Sequence, residues 1–569
     1  MFLKMVTISV SYEDLCNLLD GKTWEIEELD SLLHYAKTEI DTIIDDELKL
    51  DIKDSNRPDL WCVEGLAREC RGVLGEKGLP QYKVNPPIAE VIVDSRLKNI
   101  RPFIGCALVK NISFDDYLIK QFIQYSEKKD NSYGRRREKT SIGLYNWTRE
   151  GENILIPPIY YKVADPDEVK FIPLGFTKPM TLRKILEVHP KGRDFGHIIA
   201  DNPYYPLLID SQGNILSMPP IINSEGTGKV DEYTEEVLVE VTGTDWNAVN
   251  CVLDGIVTAL AERGGEIYAL TLNFPYEING EKTFITPNLN PLEWEIDVNY
   301  ASKIIGIKLT PEEVVEYLKI KRYDATHLEG EKIKVLAPAY RADIMHPIDI
   351  VEDIAIAIGY DKIEPRWNPK MTLGELSFPT KYVYKIRDLT IGLGYQEVLT
   401  FSLTNPEYLT TKMLKENREQ LIEVANPISI NYSVTRNSLL PGLLNFLSKN
   451  THEEYPQRIF EAGEIVQVVN EEIKIKKNLA CITIHANASF AEIHGALDTL
   501  LQLLGTEYSL EETSHPSFIE GRTGKIKADN TELGIIGEIH PQVVTNWGLE
   551  LPAAAFEINL GPLIEQAEK

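Results

Sequence analysis

One short stretch of the sequence, PAYRADIMHPIDIVEDIAIAIGY, concentrates carboxylates in a pattern that suits metal chemistry. Within eleven residues it carries Asp343, Asp349, Glu352 and Asp353. Oxygen ligands of this kind hold hard cations such as Mg²⁺. Acidic residues in a first helical turn also suit the helix dipole, which explains Asp349 well and the next two in part. Because the dipole leaves Asp343 unexplained, the residues by themselves keep both interpretations open.

A helix is predicted to position this cluster. Pro347 suits the first helical position, and apolar residues follow it at helical spacing: Ile350, Val351, Ile354 and Ile358. Asp349, Glu352 and Asp353 then share the opposite face. Like charges three and four residues apart destabilise a helix by roughly a few tenths of a kcal/mol each, and more when they are desolvated. A bound cation would compensate for that repulsion.

Length and composition indicate a multidomain protein. The chain has 569 residues, is 43% hydrophobic and 26% charged, and has no apolar run of the length a membrane span needs. Its opening, MFLKMVTISV, is too short for a signal peptide, so we expect a cytoplasmic protein. The six cysteines include no C-x-x-C, which argues against a disulfide framework or a zinc site.

The charge balance limits how the chain would contact nucleic acid. Its net charge of −28 argues against a protein that coats nucleic acid through bulk charge. One basic segment, YGRRREKTS, carries Arg135, Arg136, Arg137 and Lys139. It is either a solvated surface segment or a local contact site.

The pattern of elements predicts an α+β protein of four domains. We place an N-terminal α/β domain at 1–80, a β-rich domain at 81–280, a small α/β domain at 286–364 and a last domain at 365–569. A proline-rich stretch from Glu364 predicts the linker before the last domain.

Several element boundaries follow from local signals. We expect a hairpin around Gln212–Gly213, and helices that begin at Pro58, near Thr244–Asp245 and at Thr310–Pro311. The second of these helices should end at Gly264–Gly265.

Motifs for common enzyme chemistry are missing from the sequence. GLGYQE lacks the third glycine of a dinucleotide-binding loop, and EGTGKV lacks the upstream glycine and the Ser/Thr of a P-loop. Neither H-E-x-x-H nor G-x-S-x-G occurs. Residue types and spacing alone therefore do not name a reaction.

A resemblance to a known family does point to a reaction. It rests on four sequence blocks that occur in this order: SNRPDLWCVEGLARE, PLLIDSQGNILSMPPIINSEGTGKV, PAYRADIMHPIDIVEDIAIAIGY and VTRNSLLPGLLNFLSKN. Together they resemble the β subunit of phenylalanyl-tRNA synthetase, in the shorter form typical of archaea and eukaryotes. The resemblance implies an (αβ)₂ complex with an α subunit, which uses ATP to join phenylalanine to its tRNA, with the active site on the α subunit. Residues 81–280 would be a tRNA-editing-like domain that removes wrongly attached tyrosine.

The resemblance also implies that residues 365–569 form a class II synthetase-like antiparallel sheet domain that has lost its chemistry. A working class II site needs arginines for the ATP phosphates. Arg458 precedes a predicted strand, but no glycine-rich arginine motif follows. We therefore expect no aminoacylation from this chain alone.

Site residues carry over from the family position by position. Its Mg²⁺ site, shared with the α subunit, matches Asp343, Asp349, Glu352 and Asp353. Its editing pocket matches Leu208, Ser217, Glu240 and Thr242, although Glu240 stands where we expect an aspartate. Arg135, Arg136, Arg137 and Lys139 become candidates for tRNA contact. Taken singly, the pocket residues are ordinary core and strand residues.

Two other function classes stay open. A free-standing editing hydrolase would not need the synthetase-like region, and a metal-dependent phosphoesterase would need a second ligand group where only His346 is near. Purification with and without a candidate α subunit would separate the three classes.

Overall fold

The computed structural model describes residues 6–147, 155–367, 370, 372–416, 421–528 and 531–568. The chain is a multidomain mixture of helices and strands in two compact units, Met1–Trp367 and Asn368–Lys569. Within the described ranges, no helix has the length and apolar character needed to cross a membrane.

The first unit begins with a three-stranded antiparallel sheet covered by helices. The order of its strands is β1, β3, β2. The elements are β1 Val6–Ser11, α1 Tyr12–Leu19, α2 Ile26–Leu33, β2 Thr38–Ile44, β3 Glu47–Ile52 and α3 Val63–Val73. The helix predicted from Pro58 is a short 3₁₀ turn, Pro58–Leu60, followed by α3. The two are separate because Cys62 is extended and caps α3.

The next region is built on an eleven-stranded sheet. Its strands and helices are β4 Val84–Asn85, β5 Glu90–Val93, β6 Phe103–Lys110, α4 Asp116–Asn131, β7 Thr140–Asn146, β8 Ile159–Ala164, β9 Lys170–Phe171, β10 Met180–Thr181, α5 Leu182–Val188, α6 Pro190–Phe195, β11 Tyr205–Ile209, β12 Ile215–Met218, β13 Ile222–Asn223, β14 Val237–Gly243, α7 Trp246–Glu262, β15 Glu266–Ile278 and β16 Glu281–Thr286. The sheet runs β13-β12-β11-β8-β5-β15-β6-β14-β7, with β4 and β16 also on β15, while β9 and β10 pair separately.

The two ends of this large sheet meet. Asn223, on β13 at one end, donates its amide at 3.1 Å to the carbonyl of Leu144 on β7 at the other end. Helix α7 buries one face against β6 and β14, where Val249 and Leu253 pack on the strands. The curved sheet thus brings strands that are far apart in its order onto one cavity.

The third region is a small three-stranded sheet with three helices. Its elements are β17 Leu292–Asp297, α8 Val298–Ile305, α9 Pro311–Ile320, β18 Asp324–His327, β19 Lys332–Ala337 and α10 Pro347–Ile358. The sheet order is β17, β19, β18, and the apolar face of α10 contributes Ile350, Val351 and Ile354 to the core.

The second unit centres on a seven-stranded sheet. Its elements are α11 Phe378–Gly392, β20 Gln396–Glu397, β21 Leu403–Thr404, α12 Pro406–Leu409, β22 Val434–Thr435, α13 Leu440–Lys449, β23 Gln457–Val469, β24 Glu472–Ile484, α14 Phe490–Leu503, β25 Ser509–Glu512, β26 Phe518–Ala528, β27 Thr531–Ile539, α15 Pro541–Asn546, β28 Ala553–Asn559 and α16 Gly561–Glu568. The order is β20-β23-β24-β28-β27-β26-β25, antiparallel except where β20 joins β23. Strands β21 and β22 form a separate pair.

Most local predictions match the structure. Helix α10 begins at Pro347, α9 begins at Pro311 with a capping box from Thr310, and α7 is capped by Asp245. The predicted hairpin lies between β11 and β12, and Gly213 occupies the left-handed region (φ +87°) that its turn requires. Strong capping signals located these elements.

Candidate functional site

A buried hydroxyl links two of the predicted pocket residues. The Tyr145 hydroxyl lies 2.7 Å from Oε2 of Glu240 and 2.8 Å from Oγ of Ser217. Tyr145 comes from β7, Glu240 from the neighbouring β14, and Ser217 from β12 near the opposite end of the sheet. All three side chains line one cavity.

Gly143 makes room for this cluster. It pairs with Glu240 across β7 and β14 and lies on the same face of β7 as Tyr145. A Cβ at Gly143 would collide with the Tyr145 hydroxyl and with Oε2 of Glu240. The missing side chain therefore allows the tyrosine and the carboxylate to meet.

Glu240 has one engaged oxygen and one free oxygen. The residue is 2% exposed, and among the described residues its buried Oε1 has no hydrogen-bond partner. Burial raises the pKa of Glu240 to about 7, against hydrogen bonds from Tyr145 and Thr242 and the charge of Arg101. The side chain is therefore poised between its neutral and charged forms near neutral pH, with an oxygen available to a ligand.

Thr242 lies behind the cavity and is bound by other residues. It follows Glu240 by two positions on β14, so it points to the same face of the sheet. Its hydroxyl accepts from Nε of Arg101 at 2.9 Å and lies 3.1 Å from Oγ of Ser141. Arg101 is 1% exposed, and it fixes Thr242 next to Glu240 without bringing Thr242 to the cavity wall.

Leu208 is in the core beneath the cavity. It pairs with Ser217 across β11 and β12 and is fully buried. It is not part of the cavity wall. Of the four residues predicted for the pocket, the structure thus brings Ser217 and Glu240 together at the wall and places Leu208 and Thr242 in supporting positions.

The cavity itself has a volume of about 260 Å³ and an apolar interior. Its apolar wall includes Phe114, Phe122, Ile142, Leu144 and Leu174. The charged side chains of Glu127 and Lys191, paired at 2.9 Å and partly exposed, also line it. The cavity therefore offers a ligand an apolar surface together with the carboxylate of Glu240.

Sequence reasoning missed Tyr145, Gly143 and Arg101. Tyr145 and Gly143 lie in the alternating strand TSIGLYN, where a glycine within a strand is a known sign of close approach. No comparable signal marks Arg101, which follows an ordinary turn.

The basic segment is divided between surface and interior. Arg135 and Arg136 are exposed in a turn. Arg137 faces inward, where it pairs with Asp130 at 3.0 Å and donates to the carbonyls of two residues near β13. Lys139 lies 3.5 Å from Asp245. Two of the four predicted contact residues are therefore engaged within the fold.

The acidic cluster before and within α10 is neutralised by cations of the chain. Arg341 donates from Nε and Nη2 to Asp343 (2.8 and 2.6 Å) and from Nη2 to Asp353 (2.7 Å). Asp353 also accepts from the Tyr323 hydroxyl at 2.5 Å, and Lys321 lies 3.9 Å away. Burial alone would raise the pKa of Asp353, but the charges of Arg341, Lys321 and Arg57 outweigh it and lower the pKa well below its usual range.

The other two carboxylates have different roles. Asp349 accepts from the backbone N–H groups of Met345 and His346, both at 2.8 Å, and completes a capping box. Glu352 is half exposed and lies 2.5 Å from Nζ of Lys37, which joins α10 to the N-terminal region. Helix capping, the simpler interpretation of the sequence, accounts for Asp349.

These contacts do not fit a cation held by this chain alone. Arg341 occupies the position between the two buried carboxylates, and in the described ranges no three His, Cys, Asp or Glu side chains are grouped to hold a metal ion. Magnesium binding at these residues stays a prediction.

Arg458, the arginine considered for ATP, is also engaged. It lies on β23 and donates from Nε and Nη2 to Oε1 of Glu492, at 3.1 and 2.9 Å. This carboxylate competes directly with any phosphate for the guanidinium.

Comparisons with known proteins show which family the chain belongs to. Residues 294–360 match the family model described as "tRNA synthetase B5 domain", and residues 367–560 match "Phenylalanyl tRNA synthetase beta chain CLM domain". Among curated proteins, the phenylalanine–tRNA ligase beta subunit of Pyrococcus furiosus is 46% identical over 98% of this chain and all of its own. That of Thermococcus onnurineus is 45% identical over 99% of this chain and all of its own.

A solved structure covers the first part of the chain. The N-terminal fragment of the phenylalanyl-tRNA synthetase beta subunit from Pyrococcus horikoshii is 44% identical, with a TM-score of 0.59. It covers 62% of this chain, and the match spans all of the fragment. Given full-length identity of about 45%, the chain belongs to the phenylalanine–tRNA ligase beta subunit family and is part of an aminoacyl-tRNA synthetase.

Proposed function

We propose that the cavity at Glu240 removes tyrosine wrongly attached to the phenylalanine tRNA. One observation carries this proposal: Glu240 lines a largely apolar cavity, and its buried Oε1 has no hydrogen-bond partner among the described residues. The hydroxyl is the only group that distinguishes tyrosine from phenylalanine. A tyrosine ring in this cavity would donate that hydroxyl to Oε1.

The energetics favour a separate editing cavity. A pocket shaped for phenylalanine rejects an added hydroxyl by only about 10²-fold when nothing clashes with it. A cavity with a buried acceptor instead selects tyrosine over phenylalanine, because phenylalanine would leave that acceptor unpaired. That difference rejects phenylalanine by roughly 10⁴-fold or more.

Direct attack by water is the chemistry that the cavity supports. Water adds to the ester carbonyl, the bond from the carbonyl carbon to the ribose oxygen breaks, and that oxygen takes a proton. Ser217 contacts the Tyr145 hydroxyl, which in turn contacts Glu240, so Ser217 helps to position the carboxylate that recognises tyrosine. Ser217 would also border the space that holds the ester. Thr242 and Leu208 support the strands that carry these groups.

Deacylation of tyrosyl-tRNA(Phe) tests the proposal. In the complex with the α subunit, Glu240→Ala should slow deacylation while leaving phenylalanine attachment nearly unchanged. Glu236→Ala is a matched control, since Glu236 lies on the same chain segment but pairs with Lys110 outside the cavity. If Glu240→Ala deacylates mischarged tRNA at the wild-type rate, Glu240 is not the residue that recognises the tyrosine hydroxyl.

We further propose that the chain works as an (αβ)₂ complex with a phenylalanyl-tRNA synthetase α subunit that carries the aminoacylation site and uses ATP. An apolar patch supports such a partner: Leu399, Phe401, Leu403 and Tyr432 line one groove, and Phe401 and Leu399 are 76% and 78% exposed. Patches of this kind mark protein interfaces. ATP–pyrophosphate exchange with phenylalanine should then need the α subunit.

Arg135 and Arg136 are the exposed residues of the basic segment and the better candidates for contact with tRNA(Phe). We propose a cytoplasmic location, as for other components of translation. The free-standing hydrolase is less well supported, because the curated relatives match across both units of this chain.

A further inference from the structure

A second cavity lies in the first unit, away from Glu240. It has a volume of about 680 Å³ and is bounded by helix α7, strand β16 and the loop that precedes α10. The residues of interest in its wall are Trp246, Cys251, Asp254, Phe284, Arg341 and Ala342. None of these six lines the cavity at Glu240.

Asp254 contributes an unused acceptor to this cavity. The residue is 4% exposed, and its buried Oδ1 has no hydrogen-bond partner in the described part of the chain. Burial raises the pKa of Asp254 well above its usual range, and the charge of Lys129 only partly opposes this. A buried carboxyl group without a partner is unfavourable, so its presence calls for a ligand.

Arg341 contributes an unused donor to the same cavity. It is 5% exposed, and its Nε and Nη2 are taken by Asp343 and Asp353. Its remaining nitrogen, Nη1, is buried and donates to no acceptor among the residues described. The two carboxylates hold the guanidinium in place, so Nη1 is fixed in orientation before any ligand arrives.

Aromatic side chains provide the rest of the wall. The rings of Trp246 and Phe284 pack with centroids 4.8 Å apart. Ile344 and Ala342 extend the wall on the side of the loop before α10. The cavity therefore combines one acceptor, one donor and an apolar surface, three features that a small-molecule site requires.

We propose that this cavity binds a free α-amino acid with a large apolar side chain. Its ammonium group would donate to Oδ1 of Asp254, its carboxylate would accept from Nη1 of Arg341, and its side chain would pack on Trp246 and Phe284. A zwitterion satisfies both orphaned groups at once, which an anion or a cation alone would not do. An entering ammonium also supplies the positive charge that the ionised form of Asp254 lacks.

Equilibrium dialysis with radiolabelled L-phenylalanine tests this proposal on the purified full-length chain, without the α subunit and its own amino-acid site. We expect one bound equivalent, weakened about tenfold or more by Asp254→Asn. N-acetyl-L-phenylalanine, which lacks the ammonium group, should not compete. Ala342→Met, which fills the cavity without altering either charge, should also reduce binding.

Glu236→Gln is the matched control, because Glu236 pairs with Lys110 outside both cavities and should leave binding of phenylalanine unchanged. Glu240→Gln reports whether phenylalanine occupies the other cavity instead. Thermal unfolding of each variant verifies folding, and Asp254→Asn keeps the shape of the side chain. The proposal is overturned if wild-type protein binds no phenylalanine up to about 10 mM. It is also overturned if Asp254→Asn and Ala342→Met both bind as wild type, or if only Glu240→Gln loses binding.

Discussion

The hydroxyl of Tyr145 and the carboxylate of Glu240 share a buried contact of 2.7 Å between neighbouring strands. That contact leaves one oxygen of Glu240 free and fixes the direction in which it points. Because this contact depends on one hydroxyl and one carboxylate, substitutions that remove or add a few atoms should alter it.

Tyr145→Phe removes only the hydroxyl that joins Ser217 to Glu240. Because a hydrogen bond to a charged group contributes about 1.5–3 kcal/mol, deacylation of tyrosyl-tRNA(Phe) should fall by about tenfold or more. The rate is measured on mischarged tRNA in the αβ complex. Tyr204→Phe is the control, since it removes a hydroxyl from a ring that is 39% exposed. Equal rates for Tyr145→Phe and wild type would show that the hydroxyl does not position Glu240.

Gly143→Ala should disturb the same cluster by volume alone. The added methyl group collides with the Tyr145 hydroxyl and with Glu240, so we expect a loss of about 1–3 kcal/mol in stability and slower editing. Urea denaturation and deacylation rates give the two readouts. Gly495→Ala lies in helix α14, where the new Cβ would meet no described atom within 4 Å apart from its chain neighbours and the backbone of its own helix, so it should instead gain about 0.5–1 kcal/mol. Wild-type editing by Gly143→Ala would show that the cluster tolerates displacement.

Glu240 should make stability depend on pH. Its pKa is about 7 in the folded chain against an ordinary 4.5, so the folded state holds a proton that the unfolded state releases between these values. The contribution of Glu240 to stability is therefore present below the unfolded pKa and lost as the pH rises through about 7. The glutamine side chain in the Glu240→Gln variant does not titrate, so this contribution is absent from the variant.

The difference in Tm between Glu240→Gln and wild type should consequently be larger at about pH 8 than at about pH 5. Differential scanning calorimetry at both values measures it. Asp254 also has a raised pKa, but it is present in both proteins and cancels in the difference. The charge of Asp130 helps to raise the pKa of Glu240, so Glu240→Gln removes that interaction as well. A difference that does not change with pH would place Glu240 in a more solvated setting.

Arg341 should stabilise the acidic cluster in place of a metal ion. Arg341→Met leaves Asp343 and Asp353 buried without their shared donor, which should destabilise the chain by about 3–5 kcal/mol. Arg135→Met, at an exposed arginine, is the control. EDTA should leave the unfolding of the isolated wild-type chain unchanged.

The predicted Mg²⁺ site is tested separately in the αβ complex. Metal content by atomic absorption, with and without Glu352→Ala and Asp353→Ala, gives a direct answer. Bound magnesium that disappears in the variants would support a site that forms only with the α subunit. Unchanged assembly and metal content would leave Asp349 as a helix cap and the others as ion pairs.

The apolar patch of the second unit should contribute to assembly. Phe401→Ser and Leu399→Ser replace side chains that are 76% and 78% exposed, and each should weaken association with the α subunit by about tenfold or more. Ile475→Ser, at an exposed isoleucine (67%) on β24, is the control. Analytical ultracentrifugation of mixed subunits measures the effect. If both patch variants associate with the α subunit as strongly as wild type, the patch is not part of the interface.

Local signals in the sequence determined much of the fold. Proline and capping residues located the starts of α7, α9 and α10. These features depend on residues within one or two turns of each other, and such interactions are encoded by neighbouring positions. The four ordered sequence blocks likewise indicated the family, which the curated relatives confirm.

Only the tertiary structure decided how the charged residues are used. The sequence places Asp343 and Asp353 ten positions apart, but it does not show that Arg341 turns back to both or that Lys37 reaches Glu352 from the N-terminal region. Tyr145 likewise meets Ser217 because a curved sheet brings its two ends together. The free energy of a buried charge depends on partners that are distant in the chain, so spacing alone cannot separate a metal ligand, a helix cap and an ion pair.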